Sequence, residues 1–254
     1  PSGMAPVVAV PTTAGTGSEV GRASVIVDEA VHVKKIIFHA KMLPARVIAD
    51  PELTVGLPRF LTAATGIDAL SHSLEALCAP GFHPLADGIA VEGMRLVHRG
   101  LLRAFRDGAD VEARSWMLAA SLMGATAFQK GLGAMHSVAH VVGARTDAHH
   151  GLLNAVMMPY VLVHNRPAIE PRIHSLARSM GLKPSFDAFL AWVLDLRTET
   201  GIPHTLAAVG VREEDVPSMA AASVDDPSTP TNPVPMDAAA FERLYHAALS
   251  GTGL

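Results

Sequence analysis

Apolar residues at helical spacing fill most of this chain from Pro51 onward, and this pattern restricts the fold more than any other feature. Apolar side chains at i, i+3 and i+4 are typical of helices that are buried along one face. We predict such helices over 58–78, 84–107, 111–128, 133–143, 152–163, 169–181, 185–200 and 237–249. The chain has 254 residues, which is enough to bury a sizeable core. We therefore expect a mainly helical domain from residue 51 to residue 254.

The first fifty residues have a different character. β-Branched residues form short runs at 6–10, 24–27, 35–38 and 46–49, and such runs predict strands. Strands this short, with little helix between them, make up only part of an α/β domain. The sequence thus predicts an α/β remnant followed by an all-α domain. Farther along, the prolines of segment 225–235 exclude an α-helix and predict an exposed loop.

Composition excludes several classes of function. The chain carries 20 Lys and Arg against 24 Asp and Glu, a formal net charge of −4, which argues against binding to nucleic acid or to a membrane surface. No apolar run reaches the ~18–20 residues of a membrane span. The single cysteine, Cys78, can form neither an internal disulfide nor a Cys-rich zinc site, so we expect a cytoplasmic protein.

Histidine is the unusual component, with 13 copies. Asp68 and His72 are four residues apart, as are His136 and His140, and on a helix that spacing places both side chains on one face. Each pair alone has a plainer interpretation, as a surface Asp–His pair or as satisfied core histidines. Together they favour an open site for iron(II), zinc, cobalt or manganese. The residues leave the ligands open among Asp68, His72, His136, His140, His149 and His150.

The loop 11–19, with the sequence PTTAGTGSE, is rich in threonine and glycine. Its glycines allow the backbone to approach a phosphate closely, and its hydroxyl groups can bind phosphate or ribose oxygens. The signal is weak by itself, because loops of this composition are common. Neither G-x-G-x-x-G after a strand nor the G-x-x-x-x-G-K motif followed by Ser or Thr occurs in the chain, which argues against the two nucleotide-binding folds that those motifs mark.

Several separate motifs, in order along the chain, resemble those of the iron-containing (group III) alcohol dehydrogenases, a family that includes lactaldehyde reductases and 1,3-propanediol dehydrogenases. They are PTTAGTGSE at 11–19, ATGIDALSH at 64–72, GLGAMHSVAH at 131–140 and the His150-Gly151 pair.

The resemblance implies a dehydroquinate synthase-like fold. Residues 1–50 would be the C-terminal part of a dinucleotide-binding α/β domain, and residues 51–254 would be an all-helical, metal-binding catalytic domain. Family members carry a Gly-Gly-Gly-Ser pyrophosphate loop upstream of the threonine-rich loop, so we expect this chain to lack the N-terminal part of the cofactor domain.

The resemblance also implies roles for individual residues. The family's metal ligands, carried over position by position, fall on Asp68, His72, His136 and His150. His140 matches a histidine that lines the cleft near the nicotinamide, and we expect it to be the catalytic proton relay. The implied cofactor-binding residues are Thr12, Thr13, Thr16, Gly17 and Lys34. Phe128 matches a position that packs near the substrate.

The expected activity follows from the same resemblance. A metal-dependent alcohol dehydrogenase or aldehyde reductase would transfer hydride between a small alcohol and NAD or NADP, with Fe²⁺, or alternatively Zn²⁺, polarising the substrate oxygen. The resemblance further implies a homodimer or a larger homo-oligomer. Two alternatives stay open from the sequence: a lyase of the dehydroquinate synthase type, and a truncated metal-binding domain without activity of its own.

Overall fold

A computed structural model of the chain describes residues 3–29 and 33–254. Within that part, the strands are β1 (Val8–Ala9), β2 (Ala23–Asp28), β3 (Val33–Phe38) and β4 (Arg46–Val47). Strand β1 pairs with β4 in parallel, and β2 pairs with β3 antiparallel. The antiparallel register runs from Ala23 opposite Phe38 to Asp28 opposite Val33. These two small sheets form the short β-rich portion that the sequence predicts.

Eight α-helices follow within the described residues. They are α1 (Arg59–Cys78), α2 (Pro84–Arg106), α3 (Val111–Ala127), α4 (Ala134–Thr146), α5 (His150–Ser179), α6 (Phe186–Glu199), α7 (Val216–Val224) and α8 (Ala238–Ser250). The prediction of a mainly helical chain is confirmed. In the part of the chain that is described, none of the helices combines the length and the apolar character needed to cross a lipid bilayer.

Two details of the predicted helices are wrong. Segments 152–163 and 169–181 belong to one helix, α5, although three prolines lie inside it. A proline within a helix costs roughly 3 kcal/mol, but Ile169 and Ile173 beside these prolines are buried in the core, and that burial stabilises the helix across them. Helix α7 was not predicted, because nine residues rich in alanine are too few for a helical period to stand out.

The proline-rich segment 225–235 is not the exposed loop that its composition predicts. It contains a 3₁₀ turn at Thr229–Thr231, and Thr229 and Asn232 are buried. The Thr231 hydroxyl donates to the carbonyl of Leu132 at 2.6 Å, and Oδ1 of Asn232 accepts the backbone N–H of Ala134 at 3.1 Å. Since proline lacks a backbone donor, threonine and asparagine side chains supply the hydrogen bonds that attach this segment to the start of α4.

Helix α1 positions the polar residues of the interior. Sixteen of its 20 residues are buried, and it packs against α2, α3 and α5. Because hardly any of its surface faces solvent, its polar side chains lie inside the protein, where each needs a hydrogen-bond partner or a ligand. Helix α5 packs against both α1 and α4, and the polar residues of these three helices meet.

Candidate metal centre

Helix α1 contributes one carboxylate and one imidazole to this meeting point. Asp68 and His72 lie one turn apart, and each is 3% exposed. Oδ2 of Asp68 is 4.0 Å from Nδ1 of His72. That Nδ1 atom is buried and has no hydrogen-bond partner within the described residues. A buried polar atom without a partner is costly, so this nitrogen fits a position that a ligand completes.

Two further helices bring imidazoles to the same place. His136 lies in the first turn of α4, and His150 is the first residue of α5. The ring centroid of His136 is 4.6 Å from that of His72 and 5.3 Å from that of His150. One ligand atom from each of Asp68, His72, His136 and His150 lies within 4.8 Å of the others. The structure thus brings together the four residues that the resemblance implies as metal ligands.

The electrostatics of the cluster favour the protonation states that a metal requires. Burial alone would raise the pKa of Asp68, but the imidazoles of His72, His150 and His136 and a hydrogen bond from Asn154 outweigh it and hold the pKa below its usual value. Burial, reinforced by the neighbouring imidazoles, lowers the pKa of His136 well below its usual value. The site therefore presents an ionised carboxylate and a neutral imidazole, which are the ligating forms of both groups.

Glu75, also on α1, connects the cluster to the start of α4. Its Oε2 lies 2.7 Å from Nδ1 of His136 and accepts the backbone N–H of Gly133 at 2.9 Å, while Oε1 accepts the backbone N–H of Met135 at 2.8 Å. Burial raises the pKa of Glu75 to about 7, against the effect of these backbone donors. Glu75 is not among the residues predicted from the sequence, although its place seven residues after Asp68 puts it on the same helix face.

Asn154 is a second residue that the sequence analysis missed. It is fully buried on α5, and its Nδ2 donates to Oδ1 of Asp68 at 2.8 Å. The same Nδ2 lies 3.3 Å from Nε2 of His136 and 3.2 Å from Nε2 of His150. Asn154 follows His150 by four residues, and this spacing, which places two side chains on one helix face, could have revealed it.

The remaining two histidines of the predicted set are placed differently. His140 lies one turn beyond His136, with its ring stacked on that of His150 at 5.3 Å between centroids. Its Nδ1 is 2.9 Å from Oδ2 of Asp226, a carboxylate that the sequence analysis missed. His149 lies next to Phe60, with ring centroids 6.2 Å apart, and does not belong to the four-residue cluster.

The threonine-rich loop reaches the cluster through one residue. Thr12, Thr13 and Thr16 are all exposed, and the Thr16 hydroxyl donates to Oδ2 of Asp68 at 3.5 Å. Gly17 has a φ of 64°, and a Cβ there would lie 2.5 Å from the carbonyl oxygen of Ser121 on α3, so the close packing of the loop on that helix requires glycine.

Two more residues of the predicted set are Phe128 and Lys34. The ring of Phe128 lies 4.9 Å from that of His72, measured between centroids, and is half-buried. The backbone of Lys34 lies in β3, opposite Val27, but its side chain is outside the described part of the structure. Phe128 is therefore placed beside the proposed metal ligands, whereas the expected role of Lys34 stays a prediction.

The donor set fits a divalent metal of borderline softness. One carboxylate and three imidazoles suit iron(II) or zinc, and the cluster contains no thiolate that would favour a softer metal. The partnerless Nδ1 of His72 and the low pKa values of Asp68 and His136 agree with this assignment. The mainly helical fold and these four side chains thus define a class of protein that is suited to bind a divalent metal.

Comparison with known protein families narrows the class to one family. Residues 62–249 match the Fe-containing alcohol dehydrogenase family, C-terminal region, and residues 1–51 match the iron-containing alcohol dehydrogenase model. The chain belongs to the iron-containing alcohol dehydrogenase family. This result confirms the resemblance that the sequence motifs indicate.

Relatives and solved structures agree with the family and with the fold. The chain is 43% identical to a 4-hydroxybutyrate dehydrogenase of Cupriavidus necator, with 96% of this chain and 66% of the relative covered. It is 41% identical to an NAD-dependent methanol dehydrogenase of Bacillus methanolicus, over 91% of this chain and 62% of the relative. The chain therefore spans just under two thirds of the length of these relatives.

A solved structure of a 1,3-propanediol oxidoreductase superimposes with a TM-score of 0.92 at 36% identity, over 96% of this chain and 66% of that one. A sulfoacetaldehyde reductase of Bifidobacterium kashiwanohense, solved in complex with NAD⁺, superimposes with a TM-score of 0.91 at 30% identity, over 98% of this chain and 66% of that one. The predicted fold class, an α/β remnant followed by an all-α domain, is thereby confirmed.

Proposed function

We propose that this chain takes part in metal-dependent oxidation of small alcohols and reduction of the corresponding aldehydes, with a nicotinamide cofactor as the hydride carrier. The observation that carries the proposal is the convergence of Asp68, His72, His136 and His150, whose ligand atoms lie within 4.8 Å of one another. These four would hold Fe²⁺, with Zn²⁺ as the alternative. Family membership supports the reaction class, and the alcohols named for two relatives and the aldehyde named for a neighbouring structure support the substrate class.

The proposal includes a division of the chain. Residues 1–50 would form the C-terminal part of the cofactor domain, and residues 51–254 would form the metal-binding catalytic domain. An NAD-dependent relative and a neighbouring structure in complex with NAD⁺ support a nicotinamide cofactor, NAD or NADP. Thr12, Thr13, Thr16, Gly17 and Lys34 would contact it. The proposed assembly is a homodimer or a larger homo-oligomer.

The metal, when bound, supplies polarisation of the substrate oxygen, and the nicotinamide supplies or accepts the hydride. The chain's own residues contribute the rest. His140, with a side chain 26% exposed, is accessible enough to exchange a proton with solvent, and an imidazole can take up and release a proton near neutral pH. Phe128 provides an apolar wall beside His72 and helps to exclude water from the reacting atoms.

Asp226 completes the proposed relay by orienting the His140 ring. Its carboxylate side chain is 8% exposed and lies 2.9 Å from Nδ1 of His140. Burial would raise the pKa of Asp226, but the hydrogen bonds from His140 and from the Ser228 backbone N–H more than compensate, so the pKa lies below its usual value. An ionised Asp226 accepts a hydrogen bond from Nδ1–H of His140 and leaves Nε2 of His140 to exchange protons with the substrate side.

The test is reduction of short-chain aldehydes with NADH or NADPH, after anaerobic reconstitution with iron(II) or zinc and with metal content measured on the same sample. Turnover would establish the proposed function. Bound metal without turnover or cofactor binding would reduce it to a metal-binding domain, and no bound metal would refute the ligand assignment.

Two variants separate the proposed roles. His150→Ala should lose tight metal binding and activity together, because it removes one of the four ligands. His140→Ala should keep the metal and change the rate and its pH profile. Equal loss of metal in both variants would show that the relay and ligand roles are assigned wrongly.

A further inference from the structure

We infer that Glu75 is a positioning residue of the metal site, which fixes the tautomer and the orientation of His136 so that its Nε2 is available as a ligand. The inference rests on the proposed metal-binding function, because it concerns one of the four proposed ligands. Glu75 is not one of the four residues whose ligand atoms form the cluster. It acts through His136, whose Nδ1 lies 2.7 Å from Oε2 of Glu75.

The surroundings of Glu75 accommodate a carboxylate better than any neutral side chain. Its two oxygens accept the backbone N–H groups of Gly133 and Met135 at 2.9 and 2.8 Å, and Oε2 lies 2.7 Å from Nδ1 of the His136 ring. Glu75 is 6% exposed and His136 is 1% exposed, so water cannot replace these partners. A carboxylate only accepts hydrogen bonds when ionised, and the two backbone neighbours can only donate. With the carboxylate ionised, the third neighbour, Nδ1 of His136, completes the set as a donor.

A proton on Nδ1 leaves Nε2 of His136 with its lone pair. The opposite side of the ring is consistent with this tautomer, because the amide Nδ2 of Asn154, which can only donate, lies 3.3 Å from Nε2. The same Nδ2 contacts Oδ1 of Asp68 and Nε2 of His150, so the Nε2 side of the His136 ring is the side nearest the other proposed ligands. A histidine that ligates a metal commonly donates its other ring N–H to a carboxylate, and this contact fixes the ring and raises its basicity.

The same carboxylate also caps the start of α4, and this second role must be separated from the first. Asn232 provides the separation, because its Oδ1 accepts the backbone N–H of Ala134 at 3.1 Å, one residue from the amides that Glu75 binds. Asn232 therefore stabilises the same helix end. Among the residues that the structure describes, the side chain of Asn232 hydrogen-bonds to α4, to α5 and to its own segment, and not to His136.

The experiment compares Glu75→Gln, Glu75→Asp and Asn232→Ala with the unaltered protein. A glutamine keeps the size of Glu75 but must place its NH₂ group against an N–H donor or against Nδ1 of His136. In the second case Nδ1 accepts, and the proton moves to Nε2, which then cannot bind a metal. The first readout is zinc affinity, measured by competition with a chromophoric chelator. The second is the protonated nitrogen of His136 in the metal-free protein, measured by ¹⁵N NMR at neutral pH.

We expect Glu75→Gln to weaken zinc binding by about 10–100-fold, the range found when such outer partners of a ligand are removed, and to lose the Nδ1–H tautomer. Glu75→Asp keeps the carboxylate and should recover part of the affinity and the tautomer. Asn232→Ala should lower the unfolding midpoint without changing zinc affinity in the folded protein. Far-UV circular dichroism confirms that each variant is folded.

Three results would overturn the inference. Zinc affinity of Glu75→Gln within about twofold of the unaltered protein would mean that Glu75 does not position a ligand. Equal weakening in Glu75→Gln and Asn232→Ala would assign Glu75 to helix capping alone. Failure of the unaltered protein to bind zinc or iron(II) would refute the proposed metal site and with it the role of Glu75. This outcome can be told apart from a failure of the Glu75 inference alone, because it is seen in the unaltered protein before any variant is compared.

Discussion

Replacing Gly151 with alanine should force helices α1 and α5 apart at the metal centre. Gly151 is the second residue of α5, directly after His150. A Cβ at this position would lie 2.3 Å from the carbonyl oxygen of Ala64 and 3.0 Å from Cβ of Asp68, both on α1. Backbone atoms cannot rotate out of the way as a side chain can, so the two helices must separate by about 1 Å to restore ordinary contact.

The expected cost follows from two opposing effects. Overpacking of a close-packed core typically costs about 1–3 kcal/mol, whereas alanine in a helix is more favourable than glycine by roughly 0.5–1 kcal/mol. Because the contact at 2.3 Å is with a backbone atom, the overpacking cost falls in the upper part of its range, about 2–3 kcal/mol. The net result for Gly151→Ala is a loss of about 1–2.5 kcal/mol in the free energy of unfolding. The same shift moves His150 away from Asp68, now 3.7 Å apart between Nε2 and Oδ1, so zinc affinity should fall by about tenfold or more.

Gly88→Ala is the matched control. Gly88 also lies inside a helix, α2, but apart from the backbone of its own helix turn a Cβ there would meet none of the described residues within 4 Å, so only the gain of roughly 0.5–1 kcal/mol remains. Urea denaturation with a chelator present measures both variants without metal, and zinc competition measures the site. If Gly151→Ala unfolds at the same urea concentration as the unaltered protein, or at a higher one, the argument from helix contact is refuted.

Two further predictions concern stability away from the centre. Burial, with a smaller contribution from Arg99, lowers the pKa of His98 below 6.5, so the stability that depends on its neutral form is complete above pH 6.5 and is lost as pH falls through the lower, folded-state pKa. His98→Phe keeps a ring against Trp192 and should lessen the loss of unfolding free energy on acidification. The control, His174→Gln, changes an exposed histidine and should not lessen it. If the free energy of unfolding falls equally steeply with pH in both variants, His98 is not the group responsible. Ser185→Ala removes the side-chain cap of α6 and should lower the free energy of unfolding by about 1 kcal/mol. The loss would be measured as a lower urea midpoint, and an unchanged midpoint would mean that the cap does not stabilise the protein.

Much of the fold could be predicted because it depends on local periodicity. The apolar spacing of helices such as α1 and α6 can be recognised within a single stretch of sequence. The start predicted for α1 differs from the observed start by one residue, and the predicted end is the observed one. The continuity of α5 depends instead on tertiary burial. Pro167 lies between the two helices predicted at 152–163 and 169–181, but the core contacts of Ile169 and Ile173 outweigh the lost backbone hydrogen bond.

The candidate site divides in the same way. Asp68 with His72, and His136 with His140, could be recognised because helical spacing puts each pair on one face. Glu75 has helical spacing too, since it follows Asp68 by seven residues, but it is not among the predicted site residues. Asp226 could not be found in this way, because it lies 86 residues from His140 in sequence and only the folding of segment 225–235 onto α4 brings the two together.

The placement of the four proposed ligands on three different helices has a thermodynamic consequence. An ion that binds residues of α1, α4 and α5 only when those helices are packed together acts as a reversible cross-link of the native state, so its binding free energy adds to the free energy of unfolding. At a free metal concentration of 100 times the dissociation constant, this linkage amounts to about 2.7 kcal/mol, more than the expected cost of Gly151→Ala. The melting temperature of the protein would then follow the metal supply of its surroundings, and a chelator would imitate a destabilising mutation.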